Sequence, residues 1–350
     1  MEQNVVIQTG YARLKKTRAL FIGGLLAALL ILIGVAVTLG SADFTVGESY
    51  LAILAGLFPG VFSAPDLTKT IIWDYRLHRV LFAVLAGFGL AIAGSVMQGI
   101  LRNPLASPFT LGIASAATTG ASIAIVLGAG VVGGEYLVIA NAFLFALLAA
   151  LAIYGMARYR GIGSETMVLA GIAVMYLFSA VTSLLQYVGS AEQLQAVVFW
   201  TFGSVDKSTW PKLGIVSLVL ACTVPYLLYR AWDLNALAEG DEVAASLGVP
   251  VERSMILFMV IASLITAVII CFTGTIGFIG LVAPHITRMV IGGDFRTLLP
   301  ASGLVGALLL LAADSIARSV LAPQILPVGI VTAFLGVPFF IYLFLRRRDA

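Results

Sequence analysis

The chain has 350 residues, of which 61% are hydrophobic and 11% are charged, and its formal net charge is +3. Soluble domains carry about 25% charged residues, so this composition excludes a water-soluble fold and predicts an all-α integral membrane protein. The small net charge gives no indication of a nucleic-acid partner. Cys222 and Cys271 lie inside apolar runs without metal-ligand spacing, which is typical of buried apolar cysteines.

The first apolar run follows a basic cluster and is long enough to span a bilayer. A secretory leader has an apolar core of about 7–15 residues, whereas a spanning helix needs about 20, so we expect this run to be a retained first helix. No stretch resembles a soluble domain, which predicts one membrane domain over residues 1–350. The sequence predicts about ten spans, of which the eighth and ninth are short, near residues 19–40, 80–100, 110–132, 137–157, 166–188, 213–229, 254–273, 277–292, 298–313 and 327–345.

The distribution of lysine and arginine predicts the orientation, because basic residues are retained on the cytoplasmic side of a membrane. With ten spans and an inner N-terminal segment at residues 1–18, 14 of the 20 basic residues lie inside: Arg13, Lys15, Lys16, Arg18, Arg102, Arg158, Arg160, Arg230, Arg253, Arg288, Arg296, Arg346, Arg347 and Arg348. Both termini are therefore predicted to be cytoplasmic. The other six are Lys69, Arg76, Arg79, Lys207, Lys212 and Arg318.

The predicted spans contain no obvious means of coupling transport to an ion or of hydrolysing a nucleotide. Ion-coupled carriers keep ionisable groups at membrane depth, whereas Glu165 and Asp314 fall at the ends of predicted spans. There is no G-x-x-x-x-G-K-S/T phosphate loop. The G-x-G-x-x-G match at residues 128–133 ends a predicted helix instead of following a strand, so we interpret it as a turn. Energy is expected to come from a partner.

A polar segment between the sixth and seventh spans, at about residues 232–252, interrupts the apolar pattern. Five of the 17 acidic residues fall within residues 233–252, and Gly240 divides the segment into two predicted short helices with an apolar side. Such helices can offer a docking surface to a soluble partner. The alternative is an ordinary solvated loop.

The same segment resembles the coupling loop of FecCD/BtuC-like permeases, the membrane subunits of iron-siderophore and cobalamin ABC importers. The resemblance extends over more than 250 residues. It is carried, in the order typical of the family, by residues 75–80, 94–108, 277–285, 298–302, 313–314 with Arg318, 326–329 and 336–340. His78 stands where the family often has proline.

The resemblance implies ten helices per subunit, with spans two to five and seven to ten related as an inverted repeat. It also implies a dimer with a second permease subunit, identical or related, whose central interface forms the pathway. Two cytoplasmic ATPase subunits would use ATP and Mg²⁺, and an extracytoplasmic binding protein would deliver the cargo. The chain itself would be a transport subunit with no catalytic residue, no bound cofactor and no metal ligand.

Particular residues take their expected roles from the same resemblance. The ATPase-coupling residues would be Leu234, Ala238, Gly240, Asp241, Ala244, Leu247 and Gly248. Arg76, Arg79 and Arg318 would form salt bridges with glutamates of the binding protein; the alternative is that these arginines extend to lipid headgroups.

Residues at the start of the fifth span would form the cytoplasmic gate: Ser164, Glu165 and Thr166. For Glu165 the alternative is a favourable interaction with the helix N-terminus. Met167, Met175, Tyr176 and Gln186 would line the pathway, or else pack in the core. His285 is expected to make a structural hydrogen bond, because a lone histidine is a poor metal site.

These features predict the permease of an ATP-driven importer for a ferric siderophore or a related nutrient such as cobalamin or haem. The competing hypothesis is an ion-coupled secondary carrier or channel. An intramembrane enzyme is disfavoured, because no Ser/His, paired-Asp or His-Glu-x-x-His arrangement lies in a span.

Overall fold

The computed structural model describes residues 2–40 and 44–346, with side chains described from residue 16 onward except at 340, 342–344 and 346. Within these ranges the regular structure is helical, without β-strands. Arg347 and Arg348, and the side chains of Arg13, Lys15 and Arg346, which the sequence assigns to the inner face, lie outside this description.

The chain forms fifteen α-helices within the described ranges. A π-helical turn, Ile71–Leu77, joins α3 to α4, and a 3₁₀ turn, Gly134–Tyr136, precedes α6. The helices are α1 Glu2–Thr38, α2 Val46–Leu57, α3 Asp66–Thr70, α4 His78–Ile100, α5 Ile113–Leu127, α6 Leu137–Arg160, α7 Ser164–Val188, α8 Ala191–Phe202, α9 Trp210–Tyr229, α10 Ala231–Ala238, α11 Asp241–Ser246, α12 Val251–Thr273, α13 Ile279–Ile291, α14 Phe295–Ser319 and α15 Val328–Arg346.

Each of the ten predicted spans corresponds to one helix. Seven helical stretches in the described part are long and apolar enough to cross a membrane: Lys16–Thr38, Asp66–Ile100, Gly134–Arg160, Ser164–Val188, Trp210–Tyr229, Val251–Thr273 and Phe295–Ser319. The third, eighth and tenth predicted spans correspond to α5, α13 and α15. The prediction of an all-α membrane protein with about ten spans is confirmed.

The ends of several spans differ from the prediction. The third span is only 15 residues long, because Gly112 (φ 78°) and Gly128 (φ 62°) bound it in the left-handed conformation that glycine adopts readily. The ninth span was predicted to be short, but α14 has 25 residues. It begins after the N-cap Asp294 and continues through Asp314, which is fully buried.

The helix α4 lies at the centre of the bundle and packs against α12, α13 and α14. Its packing on α13 and α14 has a counterpart in the packing of α12 on α5 and α6, as expected if α4–α7 and α12–α15 are the two halves of an inverted repeat. Glycines permit the closest approach. A β-carbon at Gly94 would lie 1.7 Å from the carbonyl oxygen of Gly280, and one at Gly87 would lie 2.3 Å from that of Gly306.

Three helices that were not predicted from the sequence lie between the predicted spans: α2, α3 and α8. Both α2 and α8 begin with a capping box: Thr45 with Glu48, and Ser190 with Gln193. The S/T-x-x-E/Q signature was therefore available in the sequence. The predicted division of the polar segment at Gly240 into two short helices, α10 and α11, is present.

Candidate functional site

The helix α10 is fastened to the turn that precedes α14. Asn235 on α10 donates to the Asp294 carboxylate (3.1 Å) and accepts from the backbone N–H of Phe295 (2.8 Å). Asp294 also pairs with Arg18 on α1 (3.2 Å) and with Arg296 (2.6 Å). One carboxylate thus holds together three separate parts of the chain.

The Asp294 carboxylate carries the negative charge of this cluster. Hydrogen bonds from Arg296 lower the pKa of its carboxyl, and hydrogen bonding from Asn235 lowers it further. The Arg296 guanidinium also lies 4.0 Å from the ring centre of Trp232, a cation–π contact between α14 and α10. The loop is therefore anchored by both charge and packing.

The helix α11 is held by a different residue, Arg102. One guanidinium nitrogen of Arg102, Nη2, donates to Asp241 Oδ2 (3.2 Å) and to Ser164 Oγ (3.2 Å). Asp241 is the first residue of α11 and Ser164 the first of α7. Arg102 follows α4 and has φ 49°, a left-handed conformation that is uncommon outside glycine and costs about 1 kcal/mol or more.

The predicted coupling residues divide into an inward and an outward set. Leu234 and Ala244 are fully buried within this chain, and Ala238 and Gly240 are partly exposed. The exposed positions are Leu247, whose side chain is 68% exposed, and Gly248 (φ 81°). A partner approaching from the aqueous side would therefore meet Leu247, Gly248 and the partly exposed Asp241, while Leu234 and Ala244 shape the loop from inside.

The predicted gate lies beside the coupling loop. Ser164 and Thr166 are partly exposed and Glu165 is exposed in the first turn of α7, where its charge is favourable next to the helix N-terminus. The N-cap, Gly163, provides no side-chain cap. Through Arg102, the structure brings Ser164 and Asp241, which the sequence assigned to two different roles, into one hydrogen-bonded group.

The predicted pathway residues on α7 do not share one environment. Met167 is fully buried, in keeping with core packing, whereas Met175 and Gln186 are partly exposed. Tyr176 and Tyr187 are 68% and 87% exposed. The helix α7 packs on α5 and α6, so its exposed side is free to meet a second subunit or a pathway.

A cavity of about 1210 Å³ lies between the end of α4, α10, α13 and the start of α14. Gln98, Arg102, Asn235, Leu247 and Arg288 are among the residues that line it. Among the described residues, Gln98 Oε1 is buried without a hydrogen-bond partner, although its amide donates to Leu281 O (3.3 Å). The helix α10 therefore borders a cavity that is lined in part by polar side chains.

At the opposite end, two of the arginines predicted to dock a binding protein enclose a buried carboxylate. Arg79 donates to Asp314 Oδ1 through Nη2 (2.8 Å) and Nε (3.2 Å), and Arg318 Nε lies 3.0 Å from Asp314 Oδ2. The Asp314 side chain is fully buried, and those of Arg79 and Arg318 are 10% and 7% exposed. The pairing over 235 residues joins α4 to α14.

The third predicted docking residue holds the connection after α1. Arg76 Nη1 donates to the carbonyl oxygens of Val37 (3.0 Å) and Thr38 (2.8 Å), and Arg318 Nη1 donates to that of Leu39 (3.1 Å). This structural role was not among the alternatives drawn from the sequence. Docking of a binding protein at these arginines stays a prediction.

The two histidines lie in different surroundings. His78 is buried: its ring nitrogens contact Asp74 O (2.9 Å) and Ser208 Oγ (3.1 Å), and its ring meets the edge of Trp210. His285 contacts the Phe339 ring edge-on. In the part of the chain that the structure describes, no three His, Cys, Asp or Glu side chains form a group that could hold a metal ion.

No role was assigned from the sequence to Arg102, Asn235 or Asp294, although they hold α10 and α11 in place. From the sequence, Arg102 was counted among the inner basic residues and fell within a family motif, with no partner assigned. Its left-handed backbone and its contacts 62 and 139 residues away leave no local trace in the sequence. Asp294, after two glycines and before a helix, matches an N-cap signal that the sequence does contain.

The fold and this site define a class of protein. The chain is a multi-pass membrane permease: its apolar spans carry a polar pair of helices, α10 and α11, at one end. The chain belongs to the FecCD transport family, whose family model matches residues 25–346. It is therefore a transport component and not an enzyme.

Relatives with this architecture include permeases and a solved transporter. A protein of Methanocaldococcus jannaschii named as an ABC transporter permease is 47% identical over 290 residues, 80% of this chain and 83% of the relative. The cobalamin import permease BtuC of Halobacterium salinarum is 40% identical over 292 residues, 83% of this chain and 77% of the relative. An inward-facing structure described as a metal-chelate type ABC transporter has TM-score 0.82 and 30% identity, covering 93% of this chain and 98% of that chain.

Proposed function

We propose that this chain, paired with a second permease subunit, forms the translocation pathway of an ABC importer for an iron chelate such as a ferric siderophore, or a related metal-organic nutrient such as cobalamin or haem. The observation that carries the proposal is the match to the FecCD transport family over residues 25–346. The relatives named above include a cobalamin permease and a metal-chelate type transporter. They support this cargo class without selecting one member.

Energy would enter through α10 and α11, where two cytoplasmic ATPase subunits bind and hydrolyse Mg·ATP. The exposed, apolar Leu247 and the neighbouring Gly248 fit a close contact with a soluble partner. This chain would bind no cofactor itself, and the cargo metal would stay inside its chelator. An extracytoplasmic binding protein would deliver the cargo to the opposite end.

The proposed orientation places the coupling end and both termini in the cytoplasm. The ion pair between Arg18 and Asp294 puts the start of the first span at the same end as α10. Arg102, Arg230 and Arg296 are at this end too. A concentration of basic residues at one end supports the cytoplasmic assignment.

The test is uptake of radiolabelled ferric chelates, haem and cobalamin into proteoliposomes that contain this chain, its ATPase and its binding protein. ATP-dependent accumulation of one cargo is the expected result. Uptake without the ATPase, or uptake that follows an imposed proton or sodium gradient, would reject this proposal and favour the secondary carrier.

The coupling surface is tested by Leu247→Asp. A charge at an exposed apolar contact should weaken ATPase association and reduce ATP-dependent uptake by about tenfold, because central apolar contacts dominate such interfaces. The matched control is Tyr159→Asp, which places the same charge on a 93% exposed residue near the end of α6. Equal losses of ATP-dependent uptake in both variants would contradict the proposal that the ATPase binds at α11.

A further inference from the structure

One guanidinium joins the two elements that the proposed function needs to move together. Arg102 Nη2 lies 3.2 Å from Asp241 Oδ2 at the start of α11 and 3.2 Å from Ser164 Oγ at the start of α7. Among the residues whose side chains the structure describes, the hydrogen bonds of Arg102 are what links α11 to α7. Arg102 is therefore a point of contact between the coupling loop and the predicted gate.

The part of the chain that carries Arg102 is more deeply buried than the parts that carry Asp241 and Ser164. It lies two residues after the end of α4, whose residues Val96, Met97 and Ile100 are almost completely buried. By contrast, α7 has a largely exposed outer face and α11 is a six-residue helix with one fully buried residue. The guanidinium is thus carried by a largely enclosed helix and reaches two elements that are much less enclosed.

The backbone conformation of Arg102 is unusual. Its left-handed conformation (φ 49°) is uncommon for a side-chain-bearing residue and is found preferentially where surrounding structure requires it. Gly240 lies beside the guanidinium: a β-carbon there would be in ordinary van der Waals contact with Arg102 Nη1, at 3.6 Å. The bonds to Asp241 and Ser164 therefore depend on a specific backbone geometry at the end of α4.

We propose that Arg102 is a positioning residue that couples displacement of α11 by the ATPase to movement of the start of α7, so that the state of the gate follows the state of the ATPase. The inference rests on the proposed function and names the side chain that transmits the signal within it. Because the Arg102 and Asp241 side chains are 30% and 41% exposed, the pair contributes little to folding. Its effect is expected in the coupling between two sites.

The test measures uptake per ATP hydrolysed in the complete complex of permease, ATPase and binding protein. Arg102→Ala should lower this ratio by about fivefold or more, as expected for the loss of a coupling contact, while ATPase binding and hydrolysis persist. Ser164→Ala should lower it in the same direction without touching the ATPase contact. The double variant should be no worse than Arg102→Ala alone, because both changes remove one connection.

The matched control is Arg160→Ala, which removes the same charge from an exposed position at the end of α6. A direct measurement attaches a spin label through the substitution Leu169→Cys, at an exposed position on α7, in a Cys222→Ser background. ATP should change the distance between this label and a label at the matching position of the second permease subunit when Arg102 is present but not in Arg102→Ala.

The outcomes separate this inference from the proposed function. If the unaltered complex shows no ATP-dependent uptake, the proposed function fails. If it transports, but Arg102→Ala keeps the ratio of uptake to hydrolysis and the ATP-dependent distance change, the coupling role of Arg102 is overturned. Loss of ATPase binding in Arg102→Ala would also overturn it, since Arg102 would then belong to the docking surface.

Discussion

Asp314 lies fully buried near the C-terminal end of α14, between the guanidinium groups of Arg79 and Arg318. Two positive charges and one negative charge are thus enclosed together, and Arg318 Nη2 has no hydrogen-bond partner among the described residues. A buried ion group is costly to assemble, but removing one partner is more costly still, because the remaining charges stay buried. The carboxylate therefore holds the two arginines in place.

Asp314→Asn should destabilise the folded protein by about 3 kcal/mol, since it leaves two buried guanidiniums without a counter-charge. The measurement is the midpoint of thermal unfolding in detergent. Asp66→Asn, at an exposed position at the start of α3, should change it little. Adding Arg318→Met to Asp314→Asn should recover part of the loss; no difference between the two Asp→Asn variants would contradict this role.

The Asp294 carboxyl makes the stability of the folded protein depend on pH. Hydrogen bonds from Arg296 lower the pKa of its carboxyl in the folded state, so the unfolded chain binds a proton more readily. The stabilisation is then fully present above the ordinary aspartate pKa of about 3.9 and is lost as the pH falls towards the folded value. Asp294→Asn should therefore lower the unfolding midpoint at pH 7, and the difference should shrink below about pH 4. If the difference between the two unfolding midpoints instead grows as the pH falls, this prediction is wrong.

At the scale of helices, glycines decide which elements can lie against α4. The backbones of α4 and α13 meet at Gly94 and Gly280, and those of α4 and α14 meet at Gly87 and Gly306. No side chain fits between them. These contacts explain why α13 and α14 can both lie directly against α4.

Gly94→Val should prevent correct packing, costing about 3 kcal/mol or more, because the new β-carbon would overlap the carbonyl of Gly280. The readouts are the yield of folded permease and its unfolding midpoint. Gly155→Ala on α6 is the matched control, since nothing lies within 4 Å of a β-carbon there. It should be neutral or slightly stabilising. Equal behaviour of both variants would refute close packing at Gly94.

Helices were predictable from the sequence where an apolar run was long, and their ends were not. Ten long apolar runs identified the spans. Gly240 marked the break between α10 and α11. The true ends of α5 depend on the left-handed backbones of Gly112 and Gly128. The helix α14 continues past Asp314, whose charge is paired with Arg79, 235 residues away. Apolar run length carries no information about such distant partners.

The two ends of the whole molecule differ in how they use charge. At the coupling end, exposed or partly exposed pairs such as Arg102–Asp241 connect short elements. At the other end, the pair Arg79–Asp314 is almost completely enclosed. The first arrangement is suited to rearrangement and the second to rigidity, because solvent lowers the cost of breaking an exposed pair. From the sequence, Arg102 and Arg79 were assigned to opposite sides of the membrane, but this difference in enclosure was not predicted.

The orientation can be tested on the whole protein by cysteine labelling in intact cells. In a Cys222→Ser background, Val61→Cys should react with a membrane-impermeant maleimide, because Val61 is 77% exposed and follows α2 at the proposed outer end. Tyr159→Cys should react only after lysis. Labelling of Tyr159→Cys alone in intact cells would invert the proposed topology.

The contact between Trp232 and Arg296 has a spectroscopic consequence. The indole lies on α10 and the cation on α14, so any separation of these helices changes the electric field and solvent around the indole. Trp73 and Trp210 stack on each other, with ring centres 5.5 Å apart, away from this contact. The protein thus carries an intrinsic fluorophore on α10, one of its four tryptophans, and the emission of this indole should change when α10 and α14 separate.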